Sequence, residues 1–201
     1  EYKDLYLPKQ NPVLIDVPAM NFIMVNGKGS PQSAEYQAAI QTLYTLTFTI
    51  KMSKMSGQQP EDYFEYVVPP LEGLWWIEGG AFDMNEKSEW LWTSMIRQPE
   101  FVTPNVFEWA VSECKRKKTE VNVSSASFVT FTEGLSVQLM HIGPYSAEPE
   151  SLAKIDDYIE NNNLINDVGI VRKHHEIYLS DPRKVLPEKI KTVLRIPVSR
   201  K

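Results

Sequence analysis

Residues 174–182 read His-His-Glu-Ile-Tyr-Leu-Ser-Asp-Pro and have the alternating pattern of a β-strand. On such a strand His174, Glu176 and Tyr178 share one face, and the residues between them lie on the other. A glutamate in mid-strand is unusual because β-propensity disfavours it there. The stretch therefore predicts a carboxylate flanked by two ring side chains that can form hydrogen bonds.

The strand of Glu176 belongs to a strand–helix–strand–strand series in the second half of the chain. The predicted elements of that half are strands over 127–131 and 135–142, a helix from about Glu148, the strand of Glu176, and a strand over 191–198. The first half repeats this order. Its predicted elements are strands over 12–17 and 20–27, a helix from a Ser30 cap to about Met52, and strands over 62–68 and 74–77.

This repetition indicates an internal duplication. An offset of about 116 residues aligns Gly27 with Gly143, and an offset of about 111 aligns Glu65 with Glu176. The predicted fold class is α+β, in which duplicated β-α-β-β units form an antiparallel, pseudo-twofold sheet. If the helices cover one face, the other face forms a central ligand cleft into which Glu176 points.

The segment over about 85–118 has no counterpart in the second half of the chain. Its apolar spacing predicts helices over 85–97 and 104–118. We interpret it as a helical insertion between a first half over about 12–80 and a second half over about 126–199. Together these segments predict a single domain over residues 1–201.

Composition excludes several function classes. The net charge is −5, and an acidic chain is a poor nucleic-acid binder because phosphate contacts dominate that affinity. No apolar run predicts a membrane span or a signal peptide. The single cysteine excludes an intrachain disulfide and favours a cytoplasmic location. No spacing of ligand residues predicts a metal site, and no cofactor is expected.

Aromatic residues are plentiful, with five Trp, nine Tyr and eight Phe. Clustered tryptophans near polar residues are typical of a pocket for flat organic molecules, although core packing is the ordinary explanation. Trp75 and Trp76 are candidate ligand-binding residues, but on a strand only one of them can face the cleft. Trp92 and Trp109 of the insertion are further candidates that could cover it.

Three interpretations of Glu176 remain open at this point. A carboxylate among aromatic rings loses hydration, and it could bind a cationic ligand stacked on those rings. It could also act as a general base on water, with a tyrosine hydroxyl as proton donor. The third interpretation is a solvated glutamate on an open sheet face.

Several motifs in order resemble the GyrI-like small-molecule-binding family. The segments that carry the resemblance are Glu133-Gly134, Val137-Gln138, His141-Ile142-Gly143-Pro144-Tyr145, residues 174–182, residues 192–198 and residues 69–76. The resemblance covers nearly the whole chain. It implies a duplicated strand–helix–strand–strand fold and a ligand cleft between the halves. In effector domains of multidrug-responsive transcription activators of this family, the glutamate corresponding to Glu176 faces bulky, flat, often cationic ligands.

The resemblance also implies candidate functions. The chain has no room for a DNA-binding helix-turn-helix, so it looks like a stand-alone member. Stand-alone, Trp-rich members of the family include detoxifying hydrolases that open the ring of cyclopropanoid DNA-alkylating compounds. On this interpretation Glu176 activates water, Tyr145 or Tyr178 stabilises the developing phenolate, and His174 and the tryptophans help to bind the ligand. The alternatives are a non-catalytic multidrug-sequestering or ligand-sensing protein and, less favoured, a gyrase inhibitor.

Overall fold

The computed structural model describes residues 2–78, 87–169 and 171–201, and the chain forms two compact units. The first unit contains Glu1–Ala19, Leu71–Trp76 and Thr132–Lys201, and the second contains Met20–Pro70 and Ile77–Phe131. Each unit therefore combines segments that are distant in sequence. The predicted boundaries of the halves and of the single domain stay predictions.

The described residues form seven strands and four α-helices. The strands are β1 (Val13–Lys28), β2 (Leu71–Trp76), β3 (Leu91–Arg97), β4 (Ala126–Ile142), β5 (Leu164–Asn166), β6 (His174–Tyr178) and β7 (Lys191–Arg200). The helices are α1 (Lys3–Tyr6), α2 (Ala34–Lys51), α3 (Pro104–Lys117) and α4 (Glu148–Asn161). Among these described residues no helix combines the length and apolarity that crossing a membrane requires.

The α+β class and the repeated element order are confirmed, with β1-α2-β2-β3 in the first half and β4-α4-β6-β7 in the second. The helix α3 between the halves and the short strand β5 after α4 are not part of this repeat. Both halves contain the same turn after their first strand. The Gly29 amide donates to the Trp90 carbonyl at 2.7 Å, and the Gly143 amide donates to the Ile190 carbonyl at 2.9 Å. Both glycines have a positive φ, 104° and 145°, which other residues rarely adopt. Gly29, rather than Gly27, is therefore the equivalent of Gly143.

Two element predictions are wrong, one in the first half and one in the predicted helical insertion. Residues 91–97 are a strand rather than part of a helix over 85–97, of which 85 and 86 lie outside the described residues. A short apolar run does not distinguish a buried strand from a buried helix segment, and β3 is buried along almost its whole length. The segment over 62–68 lacks a strand, and Glu65 there forms an ion pair with Lys51 at 3.0 Å. Its alignment with Glu176 is therefore also wrong.

Both long strands are continuous where the sequence predicts two short ones. Pro18 lies within β1 and Gly134 within β4. Gly134 has a φ of 73°, which lets the strand bend without ending. A proline or glycine in an apolar run thus marks a bend here rather than a turn.

The helix starts follow local capping rules. Ser33, not Ser30, caps α2, and its hydroxyl accepts from the Tyr36 amide at 3.2 Å. The predictions for the other two long helices are confirmed, because α3 begins at Pro104 and α4 begins at Glu148. The start of α4 positions a side chain of the candidate site.

In the first unit, β6 lies between β2 and β7, and both pairings are antiparallel. Ile155 and Ile159 of α4 pack in one core cluster with Leu194 of β7. Leu194 is also the cross-strand partner of Glu176, so both side chains lie on the face that carries α4. The prediction that Glu176 points to a helix-free face is wrong. Alternation fixes which residues share a face, but not which face a helix covers.

Candidate functional site

Glu176 lies in the middle of β6 and is held by its neighbours two residues away on the same face. Nε2 of His174 donates to Glu176 Oε1 at 3.0 Å, and the Tyr178 hydroxyl donates to Oε2 at 2.8 Å. The side chain is only 16% exposed. Each oxygen accepts one of these bonds and keeps a further lone pair for a ligand or a water. Glu176 is therefore an oriented carboxylate with free acceptor capacity.

The strand β2 completes the surroundings of this carboxylate. Gly73 lies opposite Glu176, and Nε1 of Trp75 donates to the Tyr178 hydroxyl oxygen at 2.8 Å. A Cβ atom at Gly73 would lie 2.8 Å from that indole nitrogen and 3.1 Å from the Tyr178 hydroxyl oxygen. The glycine therefore makes room for a hydrogen-bond chain from Trp75 through Tyr178 to Glu176. A glycine in mid-strand is the sequence signal for such a close approach.

The open choice between the two neighbouring tryptophans is decided by strand pairing. Trp75 shares the face of Glu176, whereas Trp76 lies on the opposite face, where Nζ of Lys173 stands 4.4 Å from its ring centroid. Only Trp75 of this pair contacts the hydrogen-bonded residues His174, Glu176 and Tyr178, hereafter the Glu176 group.

The other two candidate tryptophans belong to the second unit. Trp92 is fully buried, and its ring meets Tyr36 edge to face at a centroid distance of 5.0 Å. Trp109 is half-buried on α3. A ligand-binding role for Trp92 and Trp109 stays a prediction.

Tyr145 follows β4 and stands over the Glu176 group. Its ring meets Tyr178 edge to face at a centroid distance of 6.4 Å, and it is 38% exposed. Burial, followed by the charges of Glu148, Glu176 and Asp181, raises the pKa of Tyr145 to about 12. The phenol therefore keeps its proton at neutral pH and can donate a hydrogen bond to a ligand.

Glu148 is the residue that sequence reasoning missed. It is the first residue of α4, where a carboxylate is ordinarily explained by the helix dipole. The side chain is nevertheless only 8% exposed, and no described residue forms a hydrogen bond with its Oε1. Burial, reinforced by the charge of Glu176, raises its pKa to about 9. Burial and the nearby charge of Glu176 therefore favour the protonated form of the Glu148 carboxyl group.

The reverse face of β6 carries a buried ionic cluster. His175 Nδ1 donates to Glu133 at 3.0 Å, and Arg195 Nη1 donates to Glu133 Oε2 at 2.6 Å. His175 Nε2 lies 3.0 Å from Glu72 Oε2, at ion-pair distance but without hydrogen-bond alignment. All four side chains are at most 5% exposed, so the cluster combines two buried carboxylates with two buried cationic groups.

The N-terminal segment closes this cluster. The Tyr6 hydroxyl donates to Glu72 Oε1 at 2.7 Å, and Arg195 Nη2 donates to the Leu5 carbonyl at 2.8 Å. Nε2 of Gln138 also donates to the Asp4 carbonyl at 2.6 Å. The N-terminal segment is therefore bound through buried polar groups.

Because of this ionic cluster, we expect the free energy of unfolding to fall as pH rises. Although burial opposes the charge, the carboxylate of Glu133 raises the pKa of His175 from 6.5 to about 9. Protonated His175 therefore stabilises the folded state, and this stabilisation is fully present below pH 6.5. It is lost as pH rises through about 9, which lowers the unfolding free energy by on the order of 3 kcal/mol. The raised pKa of Glu148 also makes the unfolding free energy fall as pH rises, between pH 4.5 and about 9. The difference in unfolding free energy between pH 6 and pH 9, measured by urea unfolding, contains the contributions of both His175 and Glu148 over that range.

Glu148→Gln is the matched variant for this measurement because it removes one of the two titrations. The fall in unfolding free energy that remains in this variant then reports His175. An equal stability of Glu148→Gln at the two pH values would contradict the assignment of the charge to His175.

Glu176 and Glu148 together make an acid–base pair on a single face of the first unit. A hydrogen-bonded carboxylate and a buried carboxyl group that favours its protonated form can serve as a general base and a general acid. No group of three or more His, Cys, Asp or Glu side chains suited to a metal ion occurs within residues 2–78, 87–169 and 171–201. The Glu176 and Glu148 side chains can supply proton transfer and electrostatic stabilisation.

Several solved structures are similar to this protein over almost its whole length. An uncharacterized conserved protein from Listeria innocua is 53% identical, with a TM-score of 0.96 over 98% of this chain and 97% of that chain. A hydrolase from Listeria innocua is 50% identical, with a TM-score of 0.91 over 98% and 96% of the two chains. A further structure of a hydrolase from that organism is 52% identical, with a TM-score of 0.92 over 98% and 96% of the two chains.

No protein with a curated function matches the sequence. The sequence model of the GyrI-like small molecule binding domain matches residues 10–199, which is nearly the whole chain. The chain therefore belongs to the GyrI-like small-molecule-binding family.

Proposed function

We propose that the protein is a hydrolase that binds flat, electrophilic aromatic small molecules and adds water to them. The proposed substrates are cyclopropanoid DNA-alkylating compounds, in which a strained cyclopropane is conjugated to a ketone. The observation that carries the proposal is the pair of Glu176, an oriented carboxylate, and Glu148, a buried acid. The two hydrolase structures from Listeria innocua, which are about half identical over almost the whole chain, support the reaction class.

Water activation is assigned to Glu176. Its carboxylate accepts a proton from a water, and the water oxygen forms a bond to the ring methylene. The strained carbon–carbon bond breaks, and its electron pair moves into the conjugated ketone, which becomes a phenolate. The hydrogen bonds from His174 and Tyr178 fix the direction of the free lone pairs on Glu176.

Proton donation is assigned to Glu148. The phenolate oxygen takes the proton of the Glu148 carboxyl, so that the product contains the atoms of one added water. Tyr145 donates a hydrogen bond to the same developing charge. The Tyr178 hydroxyl is less suited to that role because its proton is already donated to Glu176. The proton gained by Glu176 and the one lost by Glu148 are exchanged with solvent after product release.

The second candidate function is ligand binding without turnover. The observation that favours it is the aromatic wall of Trp75, Tyr145 and Tyr178 beside the carboxylate of Glu176, which suits a flat cation. A multidrug-sequestering or ligand-sensing protein would need nothing more than this wall.

Incubation with a spirocyclopropyl ketone alkylator tests the proposal. We expect wild-type protein to form a product heavier by one water, measured by mass spectrometry against a protein-free control. Tight binding of the compound by calorimetry without product would favour the binding function and contradict hydrolysis. Tight binding of a flat aromatic cation that cannot react is expected under both functions and measures the site independently of chemistry.

A further inference from the structure

The turn between β4 and α4 places both Tyr145 and Glu148. Residues 143–147 connect the strand to the helix, with Gly143 at the start of the turn and a 3₁₀ helix over Tyr145–Ala147. Oε1 of Glu148 has no hydrogen-bond partner among the described residues. The position of the Glu148 side chain therefore depends on how the turn itself is held.

His141, near the end of β4, contacts both sides of this turn. It is buried, its Nδ1 lies 2.9 Å from Ser151 Oγ, and its Nε2 lies 3.2 Å from the Pro144 carbonyl oxygen. A carbonyl oxygen only accepts, so Nε2 carries the proton. In the neutral ring Nδ1 then accepts the proton of the Ser151 hydroxyl.

The two partners of His141 flank the two functional residues. Pro144 directly precedes Tyr145. Ser151 follows Glu148 by three residues, and this spacing places Ser151 and Glu148 on one side of the first turn of α4. A Cβ atom at Gly143 would lie 3.4 Å from His141 Nε2. This is an ordinary van der Waals distance, and the two polar contacts of the ring link the strand to the helix.

We propose that His141 is a positioning residue, whose bonds to Pro144 and Ser151 hold Tyr145 over Tyr178 and keep Glu148 buried beside Glu176. This inference rests on the proposed function, because it concerns the placement of the proposed acid. The groups that face Glu148 are the carboxylate of Glu176 on β6 and the phenol of Tyr145 in the turn. Release of the turn would let water reach Glu148 and lower its pKa.

Paired variants test this role. His141→Leu removes both bonds, whereas His141→Gln keeps an N–H that can reach the Pro144 carbonyl. Ser151→Ala removes only the bond to the helix. We expect His141→Leu to lower kcat about tenfold with little change in KM, and to move the alkaline fall of activity to lower pH. We expect His141→Gln to restore part of both effects.

A purely structural role for His141 predicts a different result. A loss of stability in His141→Leu with an unmoved alkaline fall of activity would overturn the inference, and so would unchanged kinetics. NMR titration of the Glu148 carboxyl, compared between wild type and His141→Leu, measures the positioning effect without substrate. A lowered pKa in the variant supports the role even if no substrate is turned over, whereas an equal pKa in both overturns it.

Discussion

Replacement of Glu176 with glutamine is expected to lower kcat by about a hundredfold or more. Glutamine has nearly the same shape but cannot take a proton from water at neutral pH. The amide still accepts one of the hydrogen bonds from His174 and Tyr178, so the strand keeps its fold. The measurement is the rate of product formation from a spirocyclopropyl ketone at saturating substrate, followed by mass spectrometry.

Glu65→Gln is the matched control for this experiment. Glu65 is exposed, lies in the second unit and pairs with Lys51, so its amide variant should keep the wild-type rate. Thermal unfolding of both variants shows that the fold is retained. A Glu176→Gln rate within a fewfold of wild type would remove Glu176 from the role of base.

The second large effect is a loss of activity when Glu148 is deprotonated at high pH or replaced with glutamine. An acid must hold its proton to donate it, so kcat/KM of the wild type should fall as pH rises through about 9, the pKa to which burial and the charge of Glu176 raise Glu148. Glu148→Gln cannot donate a proton. We expect it to lower kcat by about a hundredfold and to lack this alkaline fall.

His175 also has a pKa raised to about 9, so its titration must be separated from that of Glu148. Glu148→Gln retains His175, and circular dichroism at each pH shows whether the protein stays folded. An alkaline fall that persists in folded Glu148→Gln would assign the titration to another group and contradict the role of Glu148 as acid.

The site was predictable only where it depends on neighbours in sequence. Strand periodicity correctly places His174 and Tyr178 on the face of Glu176, because side chains two residues apart always share a face. Gly73 and Trp75 come from a strand about one hundred residues earlier, and only strand pairing brings them opposite Glu176. Glu148 looks like an ordinary first residue of a helix until the burial of its side chain is known.

Local periodicity and capping are enough to predict the α+β class, the β4-α4-β6-β7 order of the second half and the starts of α3 and α4. Tertiary structure alone decided that residues 91–97 form a strand, that Trp75 rather than Trp76 joins the Glu176 group, and that α4 covers the same face as Glu176. Burial and nearby charges also raise the pKa of Glu148 and of His175. The pKa of a side chain depends on burial and on charges brought close by long-range packing, and no local pattern encodes either of them.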